Sequence, residues 1–167
     1  MNRLLNRLEK SMFEAKTHSL EQDQLVPMGR EEVFKFFSNA FNLERLTPPF
    51  LNFKILTEAP IAIEPGTLID YKIKLFGVPM RWRTRIARFE PDELFVDEQI
   101  RGPYALWHHT HTFEETPEGT LMRDTVQYRL PLGWLGDIAH VLFVRATLKR
   151  IFRYRRDALA DCLDEMS

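Results

Sequence analysis

Hydrophobic positions along this chain follow two periods, and the switches between them mark its elements. In residues 2–15, Leu4, Leu5, Leu8 and Met12 recur at roughly helical spacing among Arg3, Arg7 and Lys10, the pattern of a short amphipathic helix. This N-terminal extension, residues 1–15, is expected to pack on the body of the protein or on a second subunit. A membrane-surface role is less favoured, because its charges are mixed and its apolar stripe is thin. Lys16 to Val26 alternates weakly and stops at Pro27, which suits a strand with one solvated face. Val33, Phe34, Phe36 and Phe37 then return to helical spacing, and Phe41, Leu43 and Leu46 continue it past Asn39. Two short helices with a cap between them follow, ended by Thr47-Pro48-Pro49.

Period two takes over from Phe53. A short strand to Thr57 precedes Pro60, and Pro65-Gly66 turns into a long hairpin. Ile69, Tyr71, Ile73 and Leu75 alternate with Asp70, Lys72 and Lys74; past Gly77-Val78, Met80, Trp82, Thr84 and Ile86 alternate with Arg81, Arg83 and Arg85. A turn at Gly77-Val78 sets Ile73 opposite Trp82 and Tyr71 opposite Thr84 on one face, with Lys72 opposite Arg83 and Lys74 opposite Arg81 on the other. Glu93 to Ile100 is a further strand, and Arg101-Gly102-Pro103-Tyr104 turns into the next; the register of these strands is not fixed by the pattern. From Leu132 the period is helical again. Ile138, Leu142, Ala146, Ile151, Phe152, Leu159 and Leu163 recur among charged residues, predicting one long C-terminal helix with Gly133 and Gly136 ahead of it and Asp137 as its cap.

The most informative stretch lies in the last hairpin. Trp107, His109, His111 and Phe113 share one sheet face, and after the turn around Glu114 to Thr120 so do Met122, Asp124, Val126 and Tyr128. If Thr116 and Gly119 flank the turn, paired residue numbers keep a constant sum. Phe113 then faces Met122, His111 faces Asp124, His109 faces Val126, and Trp107 faces Tyr128. A one-residue slip would carry Asp124 to the opposite face. The element order, a strand, two short helices, a meander of about six strands and a long helix, is that of an α+β protein whose sheet curls around a helix.

Composition narrows the class. With 167 residues, 44% of them hydrophobic, and a net charge of -1, the chain is sized for one domain with a substantial core, residues 16–167, and has no global pull toward nucleic acid. One cysteine, Cys162, cannot build a disulfide or a cysteine-based metal site within the chain. No apolar run approaches the roughly 18 residues of a membrane span, and residues 1–10 lack the apolar core of a secretion signal, so a cytoplasmic location is expected. Neither a phosphate-binding glycine loop nor a Gly-x-Ser-x-Gly elbow is present.

Several segments resemble one family: Leu46-Thr47-Pro48-Pro49-Phe50, Gly102-Pro103-Tyr104, Trp107-x-His109-x-His111-x-Phe113, Gly119-Thr120, Asp124-x-Val126-x-Tyr128 and Pro131-x-Gly133. With the element order, which covers almost the whole chain, they are similar to the SRPBCC superfamily, also called START-like, and to its bacterial ligand-binding or cyclase/dehydrase-like branch. The resemblance implies a helix-grip fold, a curved antiparallel sheet of about seven strands around the long C-terminal helix. It also implies a cavity between sheet and helix for a hydrophobic or amphipathic small molecule. Members range from passive binders to cyclases, so the fold does not fix the chemistry.

The expected cavity wall comprises Tyr71, Ile73, Trp82, Thr84, Trp107, His109, His111, Phe113, Met122, Asp124, Val126 and Tyr128, with Ile69 and Ile86 on the same face: apolar walls with a few inward polar groups. His111 with Asp124 reads first as a buried pair that sets the hairpin register. It reads next as a hydrogen-bonding spot for ligand, together with His109, Tyr71 or Tyr128. Its catalytic form is an acid/base pair in which Asp124 fixes the tautomer of His111 and the other ring nitrogen moves a proton. His109, His111 and Asp124 also form a two-histidine, one-carboxylate set, but no further ligand cluster accompanies it, so neither metal nor cofactor is expected. Lys72, Lys74, Arg81 and Arg83, and Arg145, Lys149, Arg150, Arg153, Arg155 and Arg156, read as solvated basic faces, without a nucleic-acid signature. The expected partner is a small hydrophobic or aromatic ligand. Binding leads; a cyclase, dehydratase or isomerase using His111 and Asp124 comes next, then a carrier delivering a lipid or quinone.

Overall fold

Alternating side chains build a single sheet. A computed structural model describes residues 16–164, so the expected N-terminal helix and the side chain of Leu163 lie outside the described residues. The strands are β1 (His18–Val26), β2 (Lys54–Ile55), β3 (Leu68–Leu75), β4 (Val78–Glu90), β5 (Leu94–Arg101), β6 (Leu106–Thr116) and β7 (Gly119–Arg129). They pair antiparallel in the order β1-β7-β6-β5-β4-β3-β2, so the first strand lies beside the last. Between β1 and β2 run α1 (Arg30–Phe37) and α2 (Asn42–Arg45), joined by an Asn39 side chain that accepts the Phe41 N–H at 3.1 Å. The C-terminal helix is α3 (Trp134–Ala139), one π-helical segment (His140–Val144) and α4 (Arg145–Asp164). Between β4 and β5 the register shifts twice, skipping Ile100 of β5 and Ala87 of β4, irregularities of the kind that bend strands and curve a sheet.

The β6–β7 register is the one the constant sum requires, with Trp107 opposite Tyr128, His109 opposite Val126, His111 opposite Asp124 and Phe113 opposite Met122. The β3–β4 register differs from expectation by two residues. Leu75 pairs with Val78, leaving Phe76 and Gly77 as the turn, so Tyr71 faces Trp82, Ile73 faces Met80, Lys72 faces Arg81 and Lys74 faces Pro79. Both turn residues have positive φ, 49° and 82°, the mirror-image geometry that matches strand twist and that glycine at the second position permits. A shift of two leaves every side chain on its expected face.

The core lies on both sides of the helix seat. Val26, Phe34, Phe37, Phe113, Met122 and Leu159 form one cluster; Val126, Tyr128, Val144, Leu148 and Phe152 form another. Each such side chain contributes about 1.5–3 kcal/mol on leaving water. The helix therefore packs through His140, Val144, Leu148, Phe152 and Leu159, whereas Ile138 and Leu142 of the expected stripe are exposed. They join Leu132, Trp134, Leu135, Val141 and Phe143 as exposed apolar residues at the start of the helix. The helix starts at Trp134 after Gly133, so Asp137 is not its cap. The Asp137 carboxylate instead approaches His18 Nε2 at 3.3 Å. Among the described residues, no helix is long and apolar enough to cross a membrane.

Candidate functional site

Inward positions of four adjacent strands meet the helix around a cavity of about 190 Å³. Strand β3 supplies Ile69, Tyr71 and Ile73, β4 Trp82, Thr84 and Ile86, β5 Phe95 and Asp97, and β6 Trp107, His109 and His111; α4 closes it with Leu148, Ile151, Phe152 and Arg155. Of the expected wall, Tyr71, Ile73, Trp82, Thr84, Trp107, His109 and His111 border this space. Phe113, Met122, Asp124, Val126 and Tyr128 do not. They are buried next to it, because α1 and the end of α4 fill the sheet face at Phe113 and Met122, and Val144 and Leu148 cover Val126 and Tyr128.

One wall is polar. The carboxylate Oδ1 of Asp124 accepts a hydrogen bond from His109 Nε2 at 2.9 Å and stands 2.7 Å from His111 Nδ1, the latter contact out of line for a hydrogen bond. On the other side of the same two rings, Asp97 Oδ2 lies 3.0 Å from His111 Nε2 and 3.6 Å from His109 Nδ1. Two imidazoles are thus bracketed by two carboxylates, with Asp97 on the cavity and Asp124 behind. Arg155 borders the cavity with its Nε 3.9 Å from Asp124 Oδ2 and without a hydrogen bond, its guanidinium 5.5 Å from the Phe37 ring centre. Nearby, Trp82 Nε1 donates to Thr84 Oγ1 and the Tyr71 hydroxyl shares that oxygen, each at 3.1 Å.

Charge distributes by proximity. Burial alone would depress the His111 imidazole, but Asp124 and Asp97 outweigh it, offset in part by Arg155, and its pKa stands raised. Burial and the neighbouring His111 lower His109 despite Asp124 and Asp97. Burial would raise both carboxylates. Arg155, His111 and His109 instead hold Asp124 well below the usual range, and His111, His109 and Arg155 lower Asp97. The two carboxylates thus favour the charged form of His111, while burial and His111 favour the neutral form of His109.

The expected His111–Asp124 approach is present, but within a larger network in which both nitrogens of His111 face carboxylates. Sequence reasoning missed Asp97 and Arg155. Phe95-x-Asp97-x-Gln99 does alternate, yet only the pairing of Asp97 with His109 and of Phe95 with His111 brings Asp97 to the site. Arg155, expected on a solvated face, points inward, because its place one turn from Phe152 and Leu159 aims it at the sheet. Arg83, from the other expected basic face, is paired with Asp70 at 2.8 Å.

A family described as polyketide cyclase/dehydrase and lipid transport matches residues 26–153. None of the curated proteins compared matches the chain. Among solved structures, a putative uncharacterized protein from Rhizobium leguminosarum superposes with a TM-score of 0.62 at 15% identity, covering 89% of this chain and 97% of that one. Protein Ms6760 from Mycobacterium smegmatis gives 0.64 at 12%, with 92% and 98% covered. A nucleoside-diphosphate sugar epimerase from Corynebacterium glutamicum gives 0.64 at 27%, covering 87% of this chain but 29% of that protein.

Proposed function

The chain belongs to the polyketide cyclase/dehydrase and lipid transport family, and on that premise we propose that it binds a small, ring-containing hydrophobic molecule carrying an oxygen acceptor. The observation that carries this is the apolar cavity with one polar wall, where Arg155 borders the space and its buried Nε lacks a hydrogen bond. A buried donor of that kind is stabilised by an incoming carbonyl, phenolate or carboxylate oxygen. Size supports a compact ligand. The cavity, about 190 Å³, is close to the roughly 150 Å³ apolar cavity that admits benzene. Trp82 and Trp107 line it and supply an optical reporter. Native mass spectrometry of protein taken from its own host should reveal a retained ring compound, and adding that compound should quench tryptophan emission at one equivalent per chain. Protein that is always empty, and whose emission and melting temperature no such compound shifts, would overturn the reading.

Two further readings each have an observation in favour. His109 donates to Asp124 while its Nδ1, 3.6 Å from Asp97, is beyond hydrogen-bond distance, so His109 suits proton transfer from a carbonyl ligand better than the bracketed His111. His109→Gln should then abolish turnover of the identified ligand and spare its binding; unchanged turnover excludes that role. The carrier reading draws on the exposed apolar end. Leu132, Trp134, Leu135, Val141, Leu142 and Phe143, with Phe76 and Val78 of the β3–β4 turn, are backed by exposed Arg145, Lys149, Arg150, Lys74 and Arg81, an order suited to an anionic lipid surface. Salt-sensitive binding to vesicles containing phosphatidylserine, weakened by Phe143→Asp, supports it, and absence of vesicle binding removes it.

A further inference from the structure

We propose that Asp97, His109 and His111 form a binding site for a divalent first-row transition-metal ion, with open coordination positions facing the cavity. It goes beyond the ligand-binding reading and stands or falls separately from it. The donors come from adjacent strands whose pairing sets Asp97 directly opposite His109, and all three donor atoms lie within 4.8 Å of one another. Donors about 2.1 Å from a common ion and at tetrahedral or octahedral angles stand about 3.0–3.4 Å apart. Asp97 Oδ2 lies 3.0 Å from His111 Nε2 and 3.6 Å from His109 Nδ1, so two of the three donor pairs stand near the separation a shared ion imposes.

Asp124 makes this more than a chance cluster. Its Oδ1 stands 2.9 Å from His109 Nε2 and 2.7 Å from His111 Nδ1, on the side of the rings away from Asp97. A carboxylate behind a ligating imidazole fixes the ring and turns its other nitrogen toward the ion. Here Asp124 does so for His109 through a hydrogen bond, and it stands 2.7 Å from His111 Nδ1 on the same side. The same four residues fit less well as a plain hydrogen-bond network, since two of the four nitrogen–oxygen approaches, His111 Nδ1 to Asp124 and His109 Nδ1 to Asp97, are not hydrogen bonds. The set of two imidazoles and one carboxylate, with further positions open, suits Fe(II), Zn(II) or Co(II) rather than Mg(II) or Ca(II). All three ligands border the cavity, so a ligand oxygen there would reach the ion. The His109, His111 and Asp124 set visible in the sequence thus differs in its carboxylate: Asp97 ligates and Asp124 supports.

The test is titration of chelator-treated, tag-free protein with Co(II), followed by visible absorption, and with Zn(II), followed by calorimetry, at mildly alkaline pH where metal competes best with protons. One ion per chain is expected. Asp97→Asn should weaken binding at least about tenfold and Asp124→Asn by about 10- to 100-fold, whereas Asp137→Asn, beside His18, should leave it unchanged. No saturable binding, or equal affinity in Asp97→Asn and the wild type, overturns the site. If the variants do not fold by circular dichroism, X-ray absorption of the Zn(II)-loaded wild type decides. Two imidazoles in the zinc shell support the proposal, and fewer than two overturn it.

Discussion

Asp124 is 3% exposed and serves two imidazoles, with Arg155 close by. Asp124→Ala strips that group of its counter-charge, and loss of one partner from a buried charged cluster costs about 3–5 kcal/mol. Chemical denaturation should show a loss of that size. A second buried histidine carries a pH signature. His140 accepts from or donates to the Tyr128 hydroxyl at 2.9 Å and stacks on His18 at 3.6 Å. Burial first, then His18, Arg145 and Lys16, push its pKa down, with Asp137 opposing. A depressed folded-state pKa means that the unfolded chain takes up the proton more readily. This contribution is therefore complete above the unfolded value of about 6.5 and is lost as pH falls below it. The melting temperature of His140→Gln should decline less between neutral and mildly acidic pH than that of the wild type; parallel declines would refute the assignment.

At the scale of elements, the two hairpins show what pattern can and cannot fix. In β6–β7 the turn residues and both alternating runs agree on one register. In β3–β4 the alternation fixed the faces, but Phe76-Gly77 and Gly77-Val78 were equally compatible with it, and backbone geometry chose the former. That choice has a consequence. Phe76 has φ 49° and is 62% exposed, so Phe76→Asn, with asparagine at ease in that conformation, should stabilise the protein by about 0.5–1 kcal/mol in thermal unfolding. Gly119 is the opposite case. At φ 132°, a Cβ there would stand 2.2 Å from the Val26 carbonyl oxygen, and Gly119→Ala should lower stability by more than about 2 kcal/mol by forcing β1 and β7 apart. The long helix was legible from its period, but not the side it buries. Its N-terminal part is apolar nearly all round, so only contact with the sheet selects the His140, Val144 and Leu148 line.

At the scale of the molecule, binding and stability are linked through the cavity. A ligand at about 100 times its Kd should add about 2.7 kcal/mol to stability. Ile73→Trp, which fills the space from β3, should abolish that gain; an undiminished gain would place the ligand elsewhere. Local alternation and helical period, read from the sequence alone, determined the α+β element order, the faces of the alternating residues in the two long hairpins and the pairing of His111 with Asp124. These depend on neighbours a few residues apart, where two-residue and 3.6-residue geometry is nearly invariant. Only the tertiary structure decided that Asp97 joins the histidines, that Arg155 turns inward, and that Phe113, Met122, Val126 and Tyr128 pack as core while Tyr71, Trp82 and Trp107 line space. Those outcomes depend on the bulged register of β4 against β5 and on where the helix rests on the sheet, contacts between segments far apart in the chain that no local period encodes.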